Sequence, residues 1–195
     1  MKSTTGTILL LSFIIFIQAC NNNSNSKPEP KKEEPRDTTS FHPVSNYHLD
    51  TAAVLSNQNL PSLLEELKKD NLVTHINKKE IPAFIISFLE GLRKDSFSIA
   101  NPGEEWQAGD AIVEPLPARQ LVYFGIGEHI ALLTHLTGGI AVMQHVLIFK
   151  IDNNTVTDFW CGGLPYNLKE KEEIIDYLWK NKEKAGTLNG NYIFF

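Results

Sequence analysis

The chain has 195 residues, 42% of them hydrophobic and 21% charged, with a formal net charge of −5 and two cysteines. That length holds one domain and excludes a large multidomain machine, and the apolar fraction excludes a wholly disordered chain. Two cysteines build neither a disulfide framework nor a four-cysteine zinc site, and the acidic balance is a poor match for nucleic acid or anionic headgroups.

The N-terminus opens with Lys2 and a ten-residue apolar stretch from Ile8 to Ile17, broken only by Ser12. It is too short for a bilayer core, which needs about 20 residues. The stretch runs into Ile17-Gln18-Ala19-Cys20: a branched apolar residue, then Gln18, a small residue and a cysteine. This closely resembles the lipobox of bacterial lipoproteins, with Gln18 standing where a small residue is more usual. The resemblance covers residues 1–20 and implies that 1–19 are a signal peptide cut before Cys20. It also implies a diacylglycerol on the Cys20 thiol and a fatty acyl chain, palmitate or similar, on its new amino group. Each buried methylene contributes about 0.8 kcal/mol, so one chain holds marginally and two or three hold stably. Cleavage would remove one of the 18 basic side chains, Lys2, and none of the 23 acidic ones, taking the net charge from −5 to −6. Asn21 follows the cysteine in place of Asp, which by resemblance to the sorting rule of enteric bacteria implies the outer membrane.

Residues 20–40 form a lipidated cysteine and a tether: from Asn21 to Ser40 there is no aliphatic or aromatic side chain, and four basic residues balance four acidic ones. Such a segment buries no core and is expected to be disordered, spanning about 25 Å as a coil and at most about 65 Å extended. Residues 41–195 are left for a single globular domain.

Within it, Leu60, Leu63, Leu64 and Leu67 follow a helical spacing, with Pro61 in the first turn and Lys68-Lys69 in the last, which predicts a short amphipathic helix. Ile81, Phe84, Ile85, Phe88, Leu89 and Leu92 predict a second helix, in which Pro82 is tolerated only within the first turn. A strand is expected around Gln107–Val113. The runs Leu121–Ile126, Ile130–Thr137, Ile140–Ile151 and Thr155–Cys161 are β-branched and aromatic. Gly127-Glu128, Gly138-Gly139 and Asn153-Asn154 punctuate them, and together they read as an antiparallel meander. A third helix should run from about Leu168 to Lys182, capped by Asn167 with Glu170 three residues on, and Tyr192–Phe195 could return a last strand to a sheet edge. No internal repeat is visible. The expected fold is α+β, an antiparallel sheet with two to three helices on one face. Its helix-first order is similar to that of the cone-shaped nuclear-transport-factor-2-like folds.

Two histidines bracket Gly138-Gly139. With a two-residue loop there, His135 faces Val142 and His145 lies opposite Leu132 on the other face. A three-residue loop including Ile140 puts His135 opposite Met143 with His145 on the same face. Separate histidines, one in the core and one exposed, are expected, and no metal site, since zinc needs further ligands. Cys161 would be the one free thiol of the mature chain. If Asn153-Asn154 is a two-residue turn, His145 and Asp158 project from one face and Cys161 from the other, so Cys161 reads as a small buried residue.

Glycoside hydrolysis needs carboxyl groups about 5 to 9.5 Å apart. Glu104 and Glu105 would diverge on extended chain, and Asp110 and Glu114 would sit roughly 13 Å apart on one strand. The loop from Asn101 to Trp106 is nevertheless distinctive, because a Trp beside carboxylates can stack on a sugar, although closing the core edge is the commoner use of such a Trp. Gly125-Ile126-Gly127 is no nucleotide loop, because a strand follows it where a helix is required, and no nucleotide, serine-hydrolase, zincin or calcium-loop motif occurs. No cofactor is expected. The sequence thus points to a lipid-anchored envelope protein acting as a binding or interaction module, with an envelope protein or glycan as partner. The rival is an envelope hydrolase or small-ligand protein with a pocket between helices and sheet, using Glu104, Glu105, Trp106, Arg119, His135 and His145. In that case those side chains should converge on one cavity.

Overall fold

The computed structural model describes residues 50–184 except 112 and 114, so the expected signal peptide, Cys20, the expected tether and the expected last strand lie outside the described residues. The fold is α+β, as expected. Helices α1 (Thr51–Leu55) and α2 (Leu60–Lys69) lead into the three-residue strand β1 (Val73–His75). A short 3-10 turn (Lys78–Glu80) and α3 (Ala83–Arg93) follow, then the two-residue β2 (Ile99–Ala100). Strands β3 (Arg119–Ile126), β4 (Ile130–Thr137), β5 (Met143–Asp152) and β6 (Thr155–Leu164) form the meander, and α4 (Lys171–Asn181) closes the described chain. The sheet is open, with the order β1-β3-β4-β5-β6 and β2 laid parallel on β3.

α2 has the expected boundaries because its signals agree. All four of its stripe leucines are buried, Pro61 opens it, and Lys68 and Lys69 sit at its negative C-terminal end. Its N-cap residue, Asn59, does not cap: the amide donates instead to Asp158 Oδ1 at 2.8 Å and to the Phe159 carbonyl oxygen at 3.0 Å, fastening the helix to β6. α3 starts directly after Pro82. α4 begins at Lys171, three residues later than expected. Asn167 is held at φ 83°, with its N–H donated to Gln144 Oε1 at 2.9 Å, and so cannot cap a helix.

Along β4, seven consecutive residues are buried, from Ile130 to Leu136. A strand buried at successive positions is covered on both faces. One face carries two of the three expected helices, α2 and α4, together with α1. Trp160 Nε1 donates to Asn57 Oδ1 at 3.2 Å, Lys150 pairs with Glu66 on α2, and α4 joins α2 through Lys171 Nζ, which donates to the Asp70 carbonyl oxygen at 2.7 Å. The opposite face is covered as well, by α3, where the Phe88 ring meets Phe149 edge-on at 6.1 Å and Phe159 at 5.2 Å.

Two expectations about the strands are corrected. The described residues of the segment Gln107–Val113 form a loop, because the Gln107 side chain binds the loop's own backbone. Its Nε2 donates to the carbonyl oxygens of Gly109 and Ala111, and its Oε1 accepts from the Val113 N–H at 2.8 Å. The β5–β6 turn is tight, with Asn153 and Asn154 at φ 48° and 56°, but Thr157 bulges from the ladder between the pairs Lys150↔Asp158 and Ile151↔Val156. That extra residue reverses the parity beyond it. Cys161 pairs with Leu147 and shares the face of His145, while Asp158 pairs with Lys150 on the other face.

Candidate functional site

The β4–β5 connection is neither of the two short loops considered above. Thr137 pairs with Met143, so residues 138–142 form a five-residue loop and His135 lies directly opposite His145. The reason is tertiary. The chain at Gln107 and Ala108 lies against Gly138 so closely that a Cβ there would overlap both carbonyl groups, and the Gly139 N–H donates to the Ala108 carbonyl oxygen at 3.4 Å. Gly138-Gly139 is therefore a docking point for another loop, and the turn opens beyond it.

The two histidines stack, with ring centroids 5.2 Å apart and planes inclined by 19°. The expected separation into one core and one exposed histidine does not occur; both are buried. His135 Nδ1 donates to the Leu136 carbonyl oxygen at 3.4 Å, which leaves Nε2 as an acceptor without a partner among the described residues. His145 Nε2 and the Thr137 hydroxyl are hydrogen-bonded at 2.8 Å. Phe97 meets His135 edge-on at 6.0 Å, and the buried Arg119 guanidinium lies over the Phe97 ring, 4.6 Å from its centroid. Arg119 also donates to the Ser98 carbonyl oxygen at 3.5 Å.

Burial sets the charge state of this cluster. It pushes His145 down to about 4, with Arg119 adding repulsion, and holds His135 well below the usual imidazole range, where His145, Arg119 and Arg93 act in the same direction. Arg119 is itself lowered to about 10, first by burial and then by Arg93, and stays cationic at neutral pH. Two neutral imidazoles beside a fixed cation are the result. Neither histidine is hydrogen-bonded to a carboxylate among the described residues, and no group of three or more His, Cys, Asp or Glu side chains there could hold a metal ion. Cys161, on the same face, is buried and pushed up to about 12 by desolvation, so it is a thiol and not a thiolate.

The adjacent residue pair serves the opposite face. Leu136 and Gln144 point away from the histidines and line a cleft of about 590 Å³. Its origin is an incomplete sheet edge. β1 pairs with residues 124–126 of β3 and β2 with residues 119–120, so neither covers Leu121, Val122 and Tyr123, where β3 also bulges. The chains leaving β1 and β2 converge on this gap and are joined there, the Lys78 N–H donating to Asn101 Oδ1 at 2.7 Å. The far wall is the loop Tyr166–Lys169. Gln144, almost fully buried, holds it with both ends of its amide, accepting from the Asn167 N–H and donating to the Leu168 carbonyl oxygen at 2.5 Å.

The six residues singled out in the sequence therefore divide. Arg119, His135 and His145 come together on the α3 face. Glu104 does not line the cleft but braces Asn101, which does: its carboxylate takes the Asn101 N–H at 2.7 Å, the Asn101 amide at 2.9 Å and Lys78 Nζ at 3.1 Å, contacts that lower its pKa, the Asn101 backbone bond first. Its own carbonyl oxygen accepts from Gln120 Nε2 at 3.0 Å. Glu105 is exposed and Trp106 half-buried, and neither lines the cleft. The set does not converge on one cavity. The cleft residues Asn77, Gln120, Gln144, Tyr166, Asn167 and Lys169 were not singled out as site residues in the sequence, since long-range bonds assemble them: Gln144 to the 166–169 loop on one side and Lys78 to Asn101 on the other.

A second cleft, of about 670 Å³, lies at the other end of the sheet among charged residues of both signs, including Glu66, Asp70, Glu128, Lys69 and Lys150. Among the described residues no helix is long and apolar enough to cross a membrane. The chain matches no family model, no curated protein and no solved structure.

Proposed function

We propose that this chain is a lipid-anchored protein of the bacterial envelope whose domain is a binding module, with the ligand seated in the cleft at the open edge of β3. The observation that carries the binding part is that cleft. It has the size usual for small-ligand sites, about 300–1,000 Å³, and its walls are fixed by part-buried polar contacts from Gln144 and Asn101. The anchoring part rests on Ile17-Gln18-Ala19-Cys20 behind a short apolar run. The division of Glu104, Glu105, Trp106, Arg119, His135 and His145 between separate places favours binding over a hydrolytic centre. The placement in the outer membrane rests on Asn21, and the polar segment 21–40 supplies the reach that lets the domain stand clear of the headgroups.

Replacing the lipidated residue tests the anchor. Cys20→Ser should abolish incorporation of labelled fatty acid and move the protein from the membrane fraction to the soluble one. Unchanged labelling, or a variant still held by the membrane, would refute the assignment.

A further inference from the structure

Resting on the reading of the edge cleft as a ligand site, we infer that its ligand is a short neutral saccharide. The argument is the chemistry of the wall. Five amide side chains line the cleft, and Lys169 is the one formally charged residue among the described residues that do so. A ligand with carboxylate or phosphate groups would call for arginines or several lysines, and a cationic one for carboxylates. A purely apolar ligand would leave the amides unsatisfied.

What these amides still offer is a donor and an acceptor lining the same cleft. Gln120 spends its Nε2 on the Glu104 carbonyl oxygen, which leaves Oε1 to accept. Asn77 spends its Oδ1 on the Lys79 N–H, which leaves its NH₂ to donate. Asn101 and Gln144 are consumed in holding the walls. A sugar hydroxyl both donates and accepts, so neighbouring hydroxyls fit such a pair without a net charge on either side. Tyr166 supplies the aromatic part: it lies in the cleft wall and is 60% exposed, which leaves a ring face on which a pyranose can lie. An extended peptide added to the sheet is the competing occupant, and the edge has no room for it. The uncovered stretch of β3 is the three residues 121–123, roughly 10 Å of strand, and it is interrupted by the bulge at Val122.

The test is binding of the full-length protein in detergent to an array of short neutral oligosaccharides. Uronic-acid and sulfated counterparts and unstructured peptides are included on the array, and hits are followed by titration. At least one neutral oligosaccharide should bind, and Tyr166→Ala and Asn77→Ala should each weaken it about tenfold, equivalent to about 1.4 kcal/mol. Both positions are exposed; the unfolding midpoint of Tyr166→Ala should stay unchanged, while Asn77→Ala also loses the cap bond to the Lys79 N–H and should lower its midpoint slightly, so its binding is titrated where the variant is fully folded. Binding of only anionic sugars or peptides, weakened by the same two substitutions, would overturn the saccharide and keep the cleft as a binding site. A neutral sugar bound equally by both variants would overturn the placement. Binding to none of the three classes would remove the inference and the module reading together.

Discussion

Between pH 7 and pH 4 the domain should lose about 3 kcal/mol of stability through His145 alone, and more through His135. In the unfolded chain each imidazole titrates near 6.5, whereas His145 in the folded protein titrates at about 4 and His135 well below 6.5. Between these values the unfolded state binds more protons, so stability rises with pH. The contribution is fully present above pH 6.5 and is lost as the pH falls towards the folded value, at about 1.4 kcal/mol per pH unit per histidine. The cause is structural. A proton on either ring would sit in a buried stack beside Arg119 from β3, and one on His135 would also face Arg93 from α3. Urea unfolding at a series of pH values measures this directly, and His145→Gln should flatten the curve while keeping a side chain able to bond Thr137. A stability that stays level from pH 7 to 4 would contradict the buried neutral pair.

The largest single loss on substitution is expected at Trp160. It is completely buried, and its indole N–H reaches Asn57, whose own amide donates to the Lys182 carbonyl oxygen at 3.0 Å. One side chain thus fills the space between β6 and the helices and joins the α1–α2 turn to the end of α4. Trp160→Ala should cost about 3–5 kcal/mol, the transfer and cavity terms together. Ile140→Ala, at a fully exposed loop position, should stay within about 0.5 kcal/mol of the parent. Denaturant midpoints of the two variants provide the comparison, and a Trp160→Ala loss below about 1 kcal/mol would contradict this packing.

What could be read in the sequence was whatever local chemistry decides. The α2 leucines, Pro61 and the terminal lysines agree on one helix, and Asn153-Asn154 selects its tight turn because asparagine tolerates positive φ. β1 and β2 were not legible, being three and two residues long. They count as strands only because the edge of β3 offers partners. Cover on both sheet faces did leave a trace: Val146-Leu147-Ile148-Phe149 is continuously apolar where a one-sided strand would alternate.

The histidine pair was misread for a reason that local turn rules cannot supply. Docking of the loop at Gln107 and Ala108 on Gly138 sets the hairpin register, and a change of loop length by one residue moves His145 to the other face. The parity of Cys161 was lost in the same way, through the bulge at Thr157. Of the cleft lining, Asn101, Pro102 and Gly103 alone were visible beforehand, as part of the distinctive loop that runs to Trp106.

Native mass spectrometry of the protein, gently extracted from its own membranes, tests the central claim of a lipid-anchored binding module most directly. The predicted species begins at Cys20, carries acyl mass, and holds a further non-covalent mass of a small neutral ligand that is lost on collisional activation. A chain retaining residues 1–19, or one beginning at Cys20 without acyl mass, would contradict the anchor, and an acylated chain that is always bare would contradict the occupied cleft.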